Sequence, residues 1–322
     1  MPAELSGQPV TTILLGPQRF TTTVQATLRS LDREGPVAMI NAGWEEREAE
    51  DAELRGVLDD RGVNVSLYGR AVEALGSDRD LRVAILEHRT RHAELRAFYG
   101  IRLQAAWDTV FAVMRRASKN DVAEGARRSA MQALRDVDDW YAYEVARIVD
   151  TTATSQVVQS SEALARQRRE VAETISGAAV VAVAGGHVGI LMETLRLLDV
   201  AIPPQTPVIA WSAGAMAVCN PVVLFHDFAP QGVTAPEVHD RGLGRLRGII
   251  PLPHARRRLA LEDRERMALF AKRFPAHRLV PLDDGTIVRF SGQVDPGHGP
   301  TVLPEGARYV ESDGAIATWG AA

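Results

Sequence analysis

The chain is poor in several things, and each absence narrows the reading. Its 322 residues contain one cysteine, Cys219, so no intramolecular disulfide can form and a cysteine-based zinc site is excluded. Long apolar runs are missing: the longest, Ala178–Ala184, is far shorter than the roughly 20 residues that cross a bilayer. The opening stretch MPAELSGQPVTTILLG has neither the basic start nor the long apolar centre of a secretion signal. The expectation is a soluble, cytoplasmic protein with no membrane partner. Charge of one sign is not in excess either. Lys and Arg number 37 against 41 Asp and Glu, a net charge of −4, which gives no whole-chain reason to expect nucleic acid. Proline is absent from 77 to 176, as it would be in long uninterrupted helices.

What is present is ordinary for a globular chain, with 46% apolar and 24% charged residues. Three zones differ in texture. From Val10 to about Leu75 short apolar runs closed by glycine (TTILLG, GPVAMINAG, VNVSLYG) alternate with helical stretches, the pattern of buried parallel strands with crossover helices. From Ser77 to Ser176 the strand signals vanish. Leu95, Phe98, Tyr99, Leu103, Trp107, Val110 and Met114 recur at three- and four-residue steps, followed by Met131, Leu134, Tyr141, Val145 and Ile148. This predicts two or three long helices packed as a hairpin or small bundle. From Gly177 the α/β texture returns with AAVVAVAGG, PVIAWS and PVVLFHDF as strands. The fold class expected is therefore α/β: a mostly parallel sheet from residues 1–76 and 177–322, helices on both faces, and a long all-helical insertion at 77–176.

Sites in open α/β sheets form at the carboxyl ends of strands. Two glycine-rich strand ends occur in the second α/β zone, AGGHVG at 184–189 and WSAGA at 211–215. The segment AWSAG resembles the G-x-S-x-G of a nucleophile elbow, with Ala210 in place of the first glycine. Small neighbours are needed there because the turn brings backbones close. An activated serine needs a histidine base, and the base needs an acid. In chain order Ser212 is followed by Asp227, then Glu237 or Asp240 as acids, then His254 in GIIPLPHARRR. Backbone N–H donors for an oxyanion would come from Gly185–Gly186 together with Ala213.

Taken together, AVAGGHVGILMETL, PVIAWSAGAMAVCNP, GLGRLRGIIPLPHARRRL and LVPLDDGTIV resemble the dipeptidase E and cyanophycinase family of serine peptidases, which shares the flavodoxin-like fold of class I glutamine amidotransferases. The resemblance is weak over 1–75 and good over 178–292. It implies Ser212 as nucleophile, His254 as base, and an oxyanion hole of Gly186 with Ala213. It favours Asp227 as the acid, after the strand that follows the elbow. Asp283 and Asp284 match an acidic pair near the family's last core strand, or serve as turn residues before Gly285. The implied substrate is a small peptide or isopeptide bond with an aspartyl residue on the acyl side, and no cofactor. His187 stands where the family usually has Asn or Asp, and is taken as a pocket residue at the substrate end. Arg256, first of the only dense basic run, is taken as a clamp for a substrate carboxylate.

Other features carry less. His88 and His92 lie four apart on a helix but lack a third ligand in the sequence, so no metal is expected. His226 would point away from Asp227 on a strand. Cys219 is expected as a small core residue, and LGPQRF lacks the spacing of a phosphate loop. The alternative reading is a catalytically inactive amidotransferase-like scaffold whose helical block mediates binding or a homodimer. Its motivation is the size of the helical block and the altered residue at His187, and Ser212 and His254 lying far beyond hydrogen-bond reach would favour it. An amidotransferase reaction is weaker still, because Cys219 is misplaced for the elbow.

Overall fold

A computed structural model describes residues 10–228, 235–292 and 301–320. The first zone forms β1 (Val10–Leu15), α1 (Val24–Arg29), β2 (Val37–Ile40), α2 (Ala52–Val57), β3 (Gly62–Asn64) and α3 (Leu67–Ser77). Its first two helices are short, six residues each. Between β2 and β3 lie a 3-10 turn, Ala42–Arg47, interrupted at Glu45 by a positive-φ conformation, and α2.

The chain leaves the α/β layer after α3. It runs through α4 (Arg79–Met114), α5 (Asp121–Ala153), α6 (Gln156–Ser160) and α7 (Glu162–Ser176) before returning at β4 (Val180–Val183). Then come α8 (Val188–Leu197), β5 (Val208–Trp211) and α9 (Ala213–Val218). The central sheet also takes β12 (Ile287–Gly292), giving the order β12-β1-β5-β4-β2-β3. All its pairings are parallel except β12 with β1. The fold is thus α/β with a mostly parallel sheet and a long helical region, as the alternation of runs implied.

Between α9 and β12 lie short ladders: β6 (Cys219–Asn220) with β9 (Leu246–Arg247), and β7 (Val222–Leu224) with β8 (Glu237–Asp240). They are followed by β10 (Ile249–Pro253), α10 (Ala255–Arg258), α11 (Arg264–Arg273) and β11 (Arg278–Leu282), with β10 parallel to β11. PVVLFHDF is not one strand. The ladder stops at Leu224, and the Asp227 N–H donates instead to the Arg258 carbonyl.

Burial explains the layers. One sheet face packs α1 and α2 through Val24, Leu28, Leu54 and Leu58, and the opposite face packs α3, α7, α8 and α9. The long α4–α5 hairpin buries Leu95, Tyr99, Leu103, Trp107, Leu134 and Tyr141 against β8, β10, β11 and α11 rather than against the central sheet. Phe98, expected on that stripe, is exposed. A buried polar junction fixes this contact: Arg273 reaches Asp138 with two hydrogen bonds, at 2.7 and 2.6 Å, and the Tyr99 hydroxyl donates to Asp138 at 2.8 Å.

Candidate active site

Strand β5 is fully buried, and its register with β1 and β4 brings Trp211 to the carboxyl end of the sheet. The chain then reverses into α9 at Ser212, whose backbone adopts φ 51° and ψ −124°. A non-glycine residue in this region is strained, and the strain persists only where surroundings enforce it. They do: a Cβ on Gly185 would come within 2.7 Å of the Ser212 Cβ. The adjacent Gly186 has φ +126°, and a side chain there would strike the Gly43 backbone. The tight packing lets Ser212 stand at the strand end while the β4 end closes beside it.

His254 arrives from a different ladder. It follows Pro253, the last residue of β10, and its N–H donates to the Leu282 carbonyl at 3.0 Å. Its backbone is left-handed, φ 57° and ψ 35°. This turn brings His254 Nε2 to 3.4 Å from Ser212 Oγ, slightly long for a nucleophile–base pair, as is usual without substrate. Burial pushes the His254 pKa down, and Arg258 and Arg257 push the same way, while Asp284 and Asp283 oppose. The ring is therefore biased towards its neutral, proton-accepting form.

Because Pro253 pairs with Leu282 in the parallel β10–β11 ladder, the residues after each strand leave at the same end. Hence Asp283 and Asp284 emerge beside His254. Asp283 Oδ1 accepts from the Arg256 N–H at 2.9 Å, and its Oδ2 is buried without a hydrogen-bond partner.

Asp227 is placed otherwise than expected. Its side chain is 2% exposed and forms an ion pair with Arg266, itself 7% exposed, and it accepts from the Ala260 N–H at 2.9 Å. This carboxylate holds α11 to the segment after α10, with both oxygens taken. The other two acids considered are also engaged elsewhere, Glu237 with Arg96 and Asp240 with Arg196.

A cleft of about 620 Å³ opens over the pair. Its walls include Gln18, Arg19, Trp44, Glu53, Gly185, Gly186, Val188, Trp211, Ser212, Ala213, His254 and Arg258. None of its lining residues comes from 77–176, so the helical region leaves this cleft uncovered. Two expected substrate residues are elsewhere. His187 caps α8, its Nδ1 accepting from the Ile190 N–H at 3.2 Å, and faces a second cavity. The Arg256 side chain is 71% exposed and turned to Asp283; Arg258 lines the cleft in its place. Gln18, Arg19 and Trp44 were missed. They follow β1 and β2, and the rule that sites gather at strand ends would have flagged them once β1 was known to flank β5. Cys219 is buried in the main core, which pushes its thiol pKa up. Among the described residues no group of three His, Cys, Asp or Glu could hold a metal ion.

A serine and a histidine meeting at a strained strand-to-helix turn, in a cleft at the carboxyl end of a parallel sheet, make an arrangement that hydrolases of the serine-nucleophile class use. Comparison with protein families agrees: the model of peptidase family S51 matches residues 132–294, just over half of the chain. The chain belongs to peptidase family S51, a family of serine peptidases. The matched span includes Gly185, Gly186, Ser212, His254, Asp283 and Asp284. No curated protein matches the chain.

Proposed function

We propose that the protein hydrolyses a small peptide or isopeptide bond through an acyl-enzyme on Ser212. Ser212 Oγ attacks the scissile carbonyl carbon while His254 Nε2 takes its proton. The tetrahedral oxyanion is received by the N–H groups of Gly186 and Ala213. Collapse expels the amine, protonated by His254, and leaves an ester on Ser212. Water, deprotonated by the same imidazole, then releases the acid product. The acid that orients the imidazole is assigned to the Asp283–Asp284 pair, with Asp284 acting more strongly on the ring. This replaces Asp227, whose oxygens are held by Arg266 and Ala260. The observation that carries the reading is the 3.4 Å approach of Ser212 Oγ and His254 Nε2.

The cleft suits a substrate no larger than a short peptide. Arg19 and Arg258 on its wall favour an acidic side chain, in keeping with an aspartyl residue on the acyl side. Hydrolysis of Asp-Leu, β-Asp-Leu and Ala-Leu by wild type and Ser212→Ala tests it. The expected result is release of leucine from an aspartyl substrate by wild type only. Equal release by Ser212→Ala refutes the nucleophile, and preference for Ala-Leu refutes the acidic specificity. The serine and histidine lie within reach of each other, which favours this reading over the inactive scaffold.

A further inference from the structure

The loop that follows β2 meets the end of β4 through Gly43. The His187 N–H donates to the Gly43 carbonyl at 2.7 Å. A Cβ on Gly43 would lie 3.0 Å from the His187 nitrogen, 3.1 Å from the Gly185 carbonyl oxygen and 3.1 Å from the Gly186 Cα, all of them backbone atoms. From the other side, a Cβ on Gly186 would come within 2.3 Å of the same Gly43 oxygen. Gly43 therefore bears on both peptide groups that flank Gly186.

The consequence falls on one N–H. In a planar trans peptide the carbonyl oxygen and the N–H point in opposite directions. The Gly185 oxygen faces Gly43, so the Gly186 N–H, in the same peptide group, is directed away from it. Gly185 itself lies against the nucleophile, since a Cβ there would be 3.4 Å from Ser212 Oγ. Neither the Gly186 N–H nor that of Ala213 donates to another group among the described residues, although both residues line the cleft.

The loop is tied down where it makes this contact. Glu45 has φ 59° and ψ −128°, the same unusual backbone region as Ser212, and a strained residue persists only where its surroundings fix it. Here the Trp44 N–H donates to the Asn41 carbonyl and the Glu48 N–H to the Glu45 carbonyl, both at 2.9 Å. The Asn41 side-chain amide donates to the Glu48 carbonyl at 2.8 Å. The buried Glu48 carboxylate in turn accepts from the Tyr68 and Gly69 N–H groups at 3.0 and 2.8 Å, which joins the loop to α3.

We propose that Gly43 is a positioning residue: its carbonyl and its bare Cα set the two peptide groups around Gly186 so that the Gly186 N–H meets the oxyanion formed when Ser212 attacks. This rests on the reading of Ser212 as nucleophile given above. A donor fixed in advance needs no rearrangement as charge develops, which is how such a contact contributes to rate.

The test uses diisopropyl fluorophosphate, whose phosphoryl oxygen gains charge as Ser212 Oγ attacks phosphorus, gives its proton to His254 and displaces fluoride. The rate of adduct formation on the full chain is read by intact mass. Gly43→Ala should react at least about tenfold more slowly than wild type, while histidine NMR shows the His254 titration unchanged. His187→Pro removes the donor to Gly43 and keeps a backbone, φ −74°, that proline accepts. His187→Ala loses the α8 cap alike but keeps the N–H. The proline variant should react at least about tenfold more slowly than the alanine one. If Gly43→Ala loses its far-UV circular dichroism, the His187 pair decides. A wild-type rate in folded Gly43→Ala, equal rates in the His187 pair, or a slowed Gly43→Ala whose His254 titration has shifted overturns the inference and leaves Ser212 as nucleophile. No adduct on wild type, or the same adduct on Ser212→Ala, removes the nucleophile itself and the inference with it.

Discussion

At the scale of single residues, the charges around His254 set the pH at which the dyad can work. Burial, Arg258 and Arg257 destabilise the imidazolium more than Asp284 and Asp283 restore it, so the pKa lies below the ordinary 6.5. A base must be unprotonated, so peptide hydrolysis should rise with pH and level off, with its midpoint below 6.5. Arg258→Met removes a lowering charge and should move that midpoint to higher pH. A profile of kcat/KM against pH checks both, and a wild-type midpoint above 6.5 contradicts the electrostatics. The acids separate in the same way. Asp284→Asn should cut kcat/KM by about a hundredfold or more, since the ring loses its orienting charge. Asp227→Asn should instead destabilise the fold by about 3–5 kcal/mol, leaving Arg266 buried without its carboxylate. Chemical denaturation and the rate of the folded fraction distinguish the two outcomes. The approach of Ser212 to His254 was legible because a hydroxyl between a bulky strand and small residues has few structural uses. The acid proposed here was harder to read, because Asp283 and Asp284 leave their strand at the same end as His254 only through the β10–β11 register, and spacing along the chain carries no sign of that pairing.

At the scale of elements, the elbow depends on the β4 end as much as on its own turn. Gly185→Ala would put a methyl 2.7 Å from the Ser212 Cβ. It should move the serine out of line with His254, so kcat should fall while the far-UV circular dichroism stays near wild type. The hairpin of α4 and α5 was readable from three- and four-residue spacing and the absence of proline. Its partner was not. Tyr99, Asp138 and Arg273 are far apart in sequence, and only the packing of α4 and α5 on α11 brings them into one buried network. Asp138→Ala strands the Arg273 guanidinium and should cost about 3–5 kcal/mol in urea-induced unfolding. A loss within about 0.5 kcal/mol, the size of a neutral surface change, would contradict the role given to the network. Helix starts misled in another way. His187 and Arg256 lie near the site in sequence, but one ring nitrogen is spent on the α8 cap and the guanidinium turns to Asp283.

At the scale of the whole molecule, the parallel sheet places the ends of β1, β2, β4 and β5 around one cleft, and a second layer built on β10 and β11 delivers His254 from outside that sheet. The α4–α5 hairpin from Leu95 onwards packs on this second layer, away from the cleft. A small electrophile should therefore reach Ser212 without any movement of the helices. Treating the protein with diisopropyl fluorophosphate and reading intact mass and peptide maps tests the central claim directly. The expected result is a single adduct on Ser212 in wild type and none in Ser212→Ala. No adduct on wild type, or the same adduct on both, contradicts it.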